Sequence, residues 1–263
     1  MVEAGGKLSR DMLVLLGASN LARGISTVVG TAQQLRPGPL DIYTAIGHGR
    51  SYGQPSCVLG RCLPGILQSD LWDALSQVRC DRVLALVTDL GNDLMYGVPV
   101  SLIMEWLQEC LKRLADLDAQ IVITSLPMVT LNQLTPRRYH IFRNLLFPNN
   151  KTDLETALSL AEKLDREIRN LCEPNRLHLI TPCPDWYGFD PIHLKMACWR
   201  QAWPMIMAPW KIRPSIDLQP RRSIARWLYL RTRVPAKRQL LGYQQTKNQP
   251  SARLLDGTTV ASY

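Results

Sequence analysis

The sequence contains no Cys-x-x-Cys pair and no His/Cys grouping at ligand spacing, which excludes a metal centre built from those residues. Its seven cysteines, at 57, 62, 80, 110, 172, 183 and 198, are odd in number and scattered. They read as reduced, mostly buried small hydrophobes rather than a disulfide framework. Long hydrophobic runs are also missing. The first apolar run, Met12–Leu16, follows a stretch holding Glu3, Lys7, Arg10 and Asp11. Five residues are too few for a signal-peptide core or a membrane span, so a cytoplasmic protein is expected. Acids are scarce in one region only. From Lys211 to Tyr263 there are eleven Lys and Arg against two acids, which accounts for the whole net charge of +9 and leaves twenty of each sign before it. A neutral core argues against nucleic-acid binding by the body of the protein. Any contact with nucleic acid or an anionic membrane falls to the tail, where Arg221, Arg222, Arg226 and Arg231 mix with Trp227 and Tyr229.

What is present supports one well-buried domain. With 263 residues and 46% hydrophobic content, the chain can bury a core of about 200 residues and carry an appendage. Composition shifts to Pro, Arg and Gln near residue 210, so the expected division is 1–210 as the domain and 211–263 as a basic tail, partly disordered or packed on the core. Five aliphatic runs bounded by turn residues read as buried strands: Met12–Leu16, Ile42–Ile46, Val83–Val87, Ile121–Thr124 and Leu177–Ile180. A helix is predicted over Asp153–Cys172, with Thr152 and Glu155 as a capping box, and another over Val100–Leu117. Alternating strands and helices require crossover connections, hence a parallel sheet covered on both faces. The expected fold is a flavodoxin-like three-layer α/β/α sandwich with about five strands. Residues 127–150 lack clean periodicity and read either as a lid over a substrate or as a surface excursion.

In such sheets ligands bind beyond the carboxyl ends of the strands, so the residues following each strand matter most. Gly17-Ala18-Ser19-Asn20 follows the first strand, and Leu21–Val29 reads as a helix. A serine there lies where helix amides can stabilise an oxyanion, and equally where an ordinary helix cap would sit. After the second strand, Gly47-His48-Gly49-Arg50-Ser51 reads either as a loop whose amides approach a ligand or as a flexible turn. After the third, Asp89-Leu90-Gly91-Asn92-Asp93 offers Asn92 as a neutral amide donor or as a turn residue. After the fifth comes Asp190-Pro191-Ile192-His193, in which a carboxylate three residues before a histidine can hold Nδ1 and leave Nε2 free as a base. Of the four histidines, His193 alone has that partner; His48 is the reserve, while His140 and His178 read as structural.

The ordered set Ser19, Gly49, Asn92 and Asp190-x-x-His193 resembles the motifs of the SGNH/GDSL hydrolases over roughly residues 11–205. Gly49-Arg50-Ser51 is similar to the Gly-Arg-Ser form of some acetylesterase members. Two departures stand out: Ala18 replaces the usual Asp, and Gly91-Asn92 lacks the intervening residue.

The resemblance implies a serine esterase acting on a small-molecule ester, acetyl among the acyl groups, with no organic cofactor and no metal. Ser19 would be the nucleophile, His193 the base, and Asp190 its orienting partner. Ser19, Gly49 and Asn92 would form the oxyanion hole. Arg50, Trp186 and Tyr187 are candidate substrate contacts, each equally readable as packing. Two rivals are a non-catalytic domain binding a nucleotide or phosphate through the glycine loops and an interaction protein working through its tail. Against the first, the Gly17 loop has neither Gly-x-Gly-x-x-Gly nor a Walker-type Gly-Lys-Ser/Thr.

Overall fold

Met12, Val14 and Leu16 face one hydrophobic cluster while Leu13 and Leu15 face another, as the two-residue period of a strand buried on both sides demands. The same alternation recurs in Val83, Ala85 and Val87 against Leu84 and Leu86. The computed structural model describes residues 10–175, 177–211, 218–220 and 223–263; Glu3, Lys7, Arg221 and Arg222 lie outside them.

In chain order the elements are β1 (Met12–Leu16), α1 (Ser19–Leu35), β2 (Asp41–Ala45), β3 (Ser56–Val58), β4 (Arg61–Leu63), α2 (Leu71–Ser76) and β5 (Val83–Val87). Then come α3 (Asn92–Met95), α4 (Val100–Ala115), β6 (Ala119–Thr124), α5 (Met128–Leu131), α6 (Pro136–Leu146), α7 (Leu154–Cys172) and β7 (His178–Ile180). The chain closes with α8 (Trp199–Ile206), α9 (Ile224–Arg231), β8 (Lys237–Leu240), β9 (Tyr243–Thr246), β10 (Ala252–Arg253) and β11 (Thr259–Ser262).

Among the described residues the main sheet has the order β10-β11-β2-β1-β5-β6-β7, with only the β10–β11 pairing antiparallel. It is the expected α/β sandwich, with α4 and α7 packed on one face and α1 and α8 on the other. The chain leaves β1 toward β2 and later resumes on the opposite side at β5, so a crevice opens between the ends of β1 and β5. The sheet is larger than the five strands expected, because β10 and β11 come from the basic tail. Val260 and Ala261 are buried, yet a four-residue strand carries too little periodicity to be read from sequence.

The composition change near residue 210 therefore has no counterpart in the sheet: β11 pairs with β2, and α9 packs on α1. Trp227 Nε1 donates to the Arg23 carbonyl at 3.0 Å and Arg226 Nε donates to Ser26 Oγ at 3.0 Å. A second sheet, β3-β4-β8-β9, joins the tail to the loop after β2. In it Cys57 and Cys62 stand opposite each other, with Cα atoms 4.0 Å apart, and form a disulfide. This corrects the reading of all seven cysteines as thiols. Facing positions of an antiparallel pair approach closely, but the hairpin that makes them face is not visible in the sequence.

One local expectation is also corrected. The first turn of α7 is capped by Asp153, whose Oδ1 accepts from the Thr156 amide at 2.9 Å, and not by a Thr152 capping box. Residues 127–150 form α5 and α6, the latter starting at Pro136 with Thr135 as its cap. Tyr139 is the only buried residue of α6, so no apolar face marks that helix in the sequence.

Candidate active site

The turn from β1 into α1 is tight. A Cβ on Gly17 would lie 2.5 Å from Thr88 Oγ1, so only glycine lets the strand end approach β5 this closely. Ser19 follows as the first residue of α1, where its amide has no acceptor within the helix. The turn has no acid at position 18; Asp89 braces it instead. Asp89 Oδ2 accepts from the amides of Ala18 (2.9 Å) and Asn20 (3.1 Å), and Oδ1 accepts from Asn20 Nδ2 at 2.7 Å. Asp89 itself has φ +62°, a left-handed conformation that Asp tolerates better than most residues.

Asn20 also reaches the last loop. Its Nδ2 donates to the Ile192 carbonyl at 2.9 Å and its Oδ1 accepts from the Leu194 amide at 2.9 Å. Between those contacts lies His193. Its Nε2 is 2.8 Å from Ser19 Oγ and its Nδ1 is 2.6 Å from Asp190 Oδ2. Asp190 Oδ1 accepts from the amides of Ile192 (3.1 Å) and His193 (3.2 Å). Burial works against the Asp190 carboxylate, but hydrogen bonds from His193 and these amides, with the His193 charge, outweigh it and hold its pKa below the usual range.

Gly49 and Asn92 line the same chamber as Ser19 and His193. Gly49 has φ +61°, and a Cβ there would lie 2.6 Å from Tyr96 Oη. Asn92 opens α3, and its Nδ2 is buried with no hydrogen-bond partner. A buried donor without an acceptor is costly unless a ligand atom completes it. The missing residue between Gly91 and Asn92 therefore does not keep Asn92 out of the chamber.

The weaker candidates separate. Arg50 is fully buried and turns away from the chamber, donating through Nε to the Pro64 carbonyl (3.1 Å) and through Nη1 to the carbonyl of Tyr263. Trp186 is buried in the cluster beneath α1 and α8. Both are thus corrected from substrate contacts to packing, which local sequence cannot distinguish because either role places the residue after a strand. Tyr187 does line a cavity that opens on Ser19. His48 stands in the Ser19 chamber, where burial and the nearby Arg231 and Arg61 push it down to about 4. His140 and His178 are exposed and line neither cavity; the ring nitrogens of His140 are within hydrogen-bond reach of Arg143 (3.2 Å) and Asn144 (2.9 Å).

Ser19 lines two cavities. One, of about 140 Å³, is mainly apolar and runs under residues Leu131, Tyr139 and Phe147 toward Leu158 of α7. The other, of about 570 Å³, contains His48, Arg61, Arg231 and His193. Arg138 of α6 donates to the carbonyl of Phe189 at 2.6 Å and lies over its ring, tying the irregular segment to the loop that carries Asp190. Sequence reasoning passed over Asn20, Asp89 and Arg138. The first two sit inside motifs already singled out, whereas nothing near Arg138 marks it. Among the described residues no helix is long and apolar enough to cross a membrane, and no group of three or more His, Cys, Asp or Glu could hold a metal ion.

No family model matches the chain, and no curated protein matches it. Solved structures do. The inhibitor-bound aryl esterase of M. smegmatis superposes with a TM-score of 0.53 at 15% identity, over 76% of this chain and 98% of that one. A carbohydrate acetylesterase family member from Sinorhizobium meliloti gives 0.50 at 12% identity, over 76% and 96%. A lipolytic protein of the G-D-S-L family from Veillonella parvula DSM 2008 is a more distant likeness, 0.47 at 7% identity over 78% and 100%. At such identities what the chain shares with the first two, both solved esterases, is their α/β fold.

Proposed function

We propose that this protein is a serine ester hydrolase in which Ser19, His193 and Asp190 form the catalytic triad. The observation that carries the reading is the unbroken chain of contacts from Asp190 Oδ2 through His193 to Ser19 Oγ, 2.6 Å and 2.8 Å long. The fold shared with solved esterases supports it. In this mechanism His193 Nε2 takes the Ser19 proton as Oγ attacks the ester carbonyl, and the carbonyl electrons move onto oxygen. The Ser19 and Gly49 amides and Asn92 Nδ2 receive that oxyanion. As the tetrahedral intermediate collapses, the protonated His193 passes its proton to the departing alcohol. Water, deprotonated by His193, then attacks the acyl-serine ester and releases the acid, returning the proton to Ser19. Asp190 stays ionised throughout and holds the imidazole with Nδ1–H toward itself.

The acyl half belongs in the apolar cavity. With Arg50 buried, the Gly-Arg-Ser pattern no longer favours acetyl through a substrate contact, and the cavity beyond Ser19 accommodates a longer chain.

The test is hydrolysis of chromogenic esters of increasing acyl length by wild type, Ser19→Ala and His193→Ala, each shown to be folded. Both variants are expected to lose roughly 10³-fold or more in kcat, since triad members act as a unit. Leu158→Trp is expected to shift the acyl optimum toward acetyl. An inactive wild type whose Ser19 resists a fluorophosphonate would sink the reading.

A further inference from the structure

The larger cavity contains an arrangement that ester hydrolysis alone does not require. Its wall includes Arg61 from β4, Arg231 from α9 and His48 from the turn after β2, and among the described residues no Asp or Glu lines it. Arg61 makes no ion pair among the described residues, and its buried Nε has no hydrogen-bond partner. Burial first, and then the neighbouring Arg238 and Arg231, push its pKa down. Arg231 lies over the Trp227 ring at 4.6 Å, and its Nη2 is 3.5 Å from His48 Nε2. His48 is neutral at ordinary pH, so it can take a hydrogen bond from Arg231 without adding repulsion.

Holding two guanidinium groups on one wall without a counter-charge costs free energy, and an anion between them would reverse the sign of that interaction. Both groups stand on fixed supports. Arg61 begins a strand paired on both sides, in a hairpin closed by the Cys57–Cys62 disulfide. Arg231 ends a helix that Trp227 and Arg226 tie to α1. Ser19 lines both cavities, whereas His193, Arg61 and Arg231 line only this one, so an ester whose acyl chain occupies the apolar cavity leaves the cationic wall to its leaving-group side.

We propose that this cavity binds an anionic group, a phosphate or a carboxylate, on the alcohol half of the ester, gripped by Arg61 and Arg231 while Ser19 attacks the carbonyl. The inference rests on the serine-esterase reading for the ester, but the anion site itself stands on the charged wall.

The experiment uses three aryl esters sharing one acyl group, with a phosphate, a carboxylate or a neutral carboxamide para on the phenol, each rate corrected for its alkaline hydrolysis. Wild type is expected to favour the anionic esters over the carboxamide by about tenfold or more in kcat/KM, as charge-assisted hydrogen bonds allow. In Arg61→Ala and Arg231→Ala that ratio falls toward one, and Arg61→Lys recovers part of it. The better of the two anionic esters identifies the group. Equal rates for all three esters, or a ratio unchanged in the variants, would overturn the proposal. Should Arg61→Ala fail to fold, Arg231→Ala at its exposed position decides. Phenyl phosphate separates the two ideas. If it raises the melting temperature of wild type but not of Arg231→Ala while no ester is cleaved, the anion site stands and the esterase reading fails. If esters are cleaved and phenyl phosphate neither inhibits nor stabilises, the anion site fails alone.

Discussion

Asn20 Oδ1 accepts a hydrogen bond from the Leu194 amide at 2.9 Å, across 174 positions of sequence. The residue beside Ser19 thereby sets where the residue beside His193 lies, and the 2.8 Å separation of Ser19 Oγ and His193 Nε2 depends on that clamp.

Asn20→Ala is accordingly expected to lower kcat by roughly 10²-fold, since small misplacement of a base is costly. It also removes three side-chain hydrogen bonds from a nearly buried site, so a stability loss of about 1–3 kcal/mol is expected. Asn20→Asp should do worse than Ala on stability, because it sets an oxygen against Asp89 Oδ1. Ester kinetics and urea melts of both variants check this; unchanged kcat in Asn20→Ala would remove the clamp from the argument.

Asn92→Ala should behave in the opposite way. Its buried Nδ2 has no hydrogen-bond partner within the protein, so the substitution is expected to cost little or no stability. Loss of an oxyanion donor should nevertheless lower kcat by about 10²–10³-fold with KM little changed. Kinetics beside a thermal melt make the test, and a large fall in melting temperature with intact kcat would show that the side chain serves packing instead.

Asp93 is fully buried beneath the site, with Oδ2 accepting from the Tyr52 amide at 3.0 Å. Burial pushes its carboxyl up to about 6, against the opposing hydrogen bonds from Ser51 and Tyr52. A carboxyl whose folded pKa is raised binds its proton more tightly in the folded state. The stability it contributes is therefore full below the unfolded value near 3.9 and is lost as pH rises through about 6. From the size of that shift the loss is roughly 2–3 kcal/mol. Asp93→Asn, which keeps an acceptor for Tyr52, should flatten this slope, so the variant gains on wild type between pH 4 and pH 7. Melting temperatures across that interval measure it, and a difference independent of pH would count against it.

Much of the frame was legible because it is local. Met12–Leu16 and Val83–Val87 match their predicted bounds, since continuous aliphatic runs between turn residues have few other uses. Helices α4 and α7 begin within a residue of prediction because each repeats an apolar face. Helix α6 escaped for the converse reason: its outward residues Ile141 and Leu145 are exposed, so no stripe forms. Strand β11 escaped because four residues carry too short a period to read.

The candidate site divides along the same line. Ser19, Gly49, Asn92, Asp190 and His193 could be chosen because each lies just after a predicted strand, where a parallel sheet opens to ligand. Arg50 and Trp186 satisfied the same positional rule and are buried elsewhere, so position after a strand selects a side of the molecule but not a direction for the side chain.

By itself, the sequence determined the five central strands, the long helices and which loops gather at one edge, because those follow from periodicity and turn chemistry within about twenty residues. Only the tertiary structure decided that Asp89 braces the serine turn, that Asn20 clamps the histidine loop, that Cys57 meets Cys62, and that Arg61 and Arg231 share a wall. Each is a pairing across a chain reversal or between distant segments, fixed by packing that no local pattern encodes.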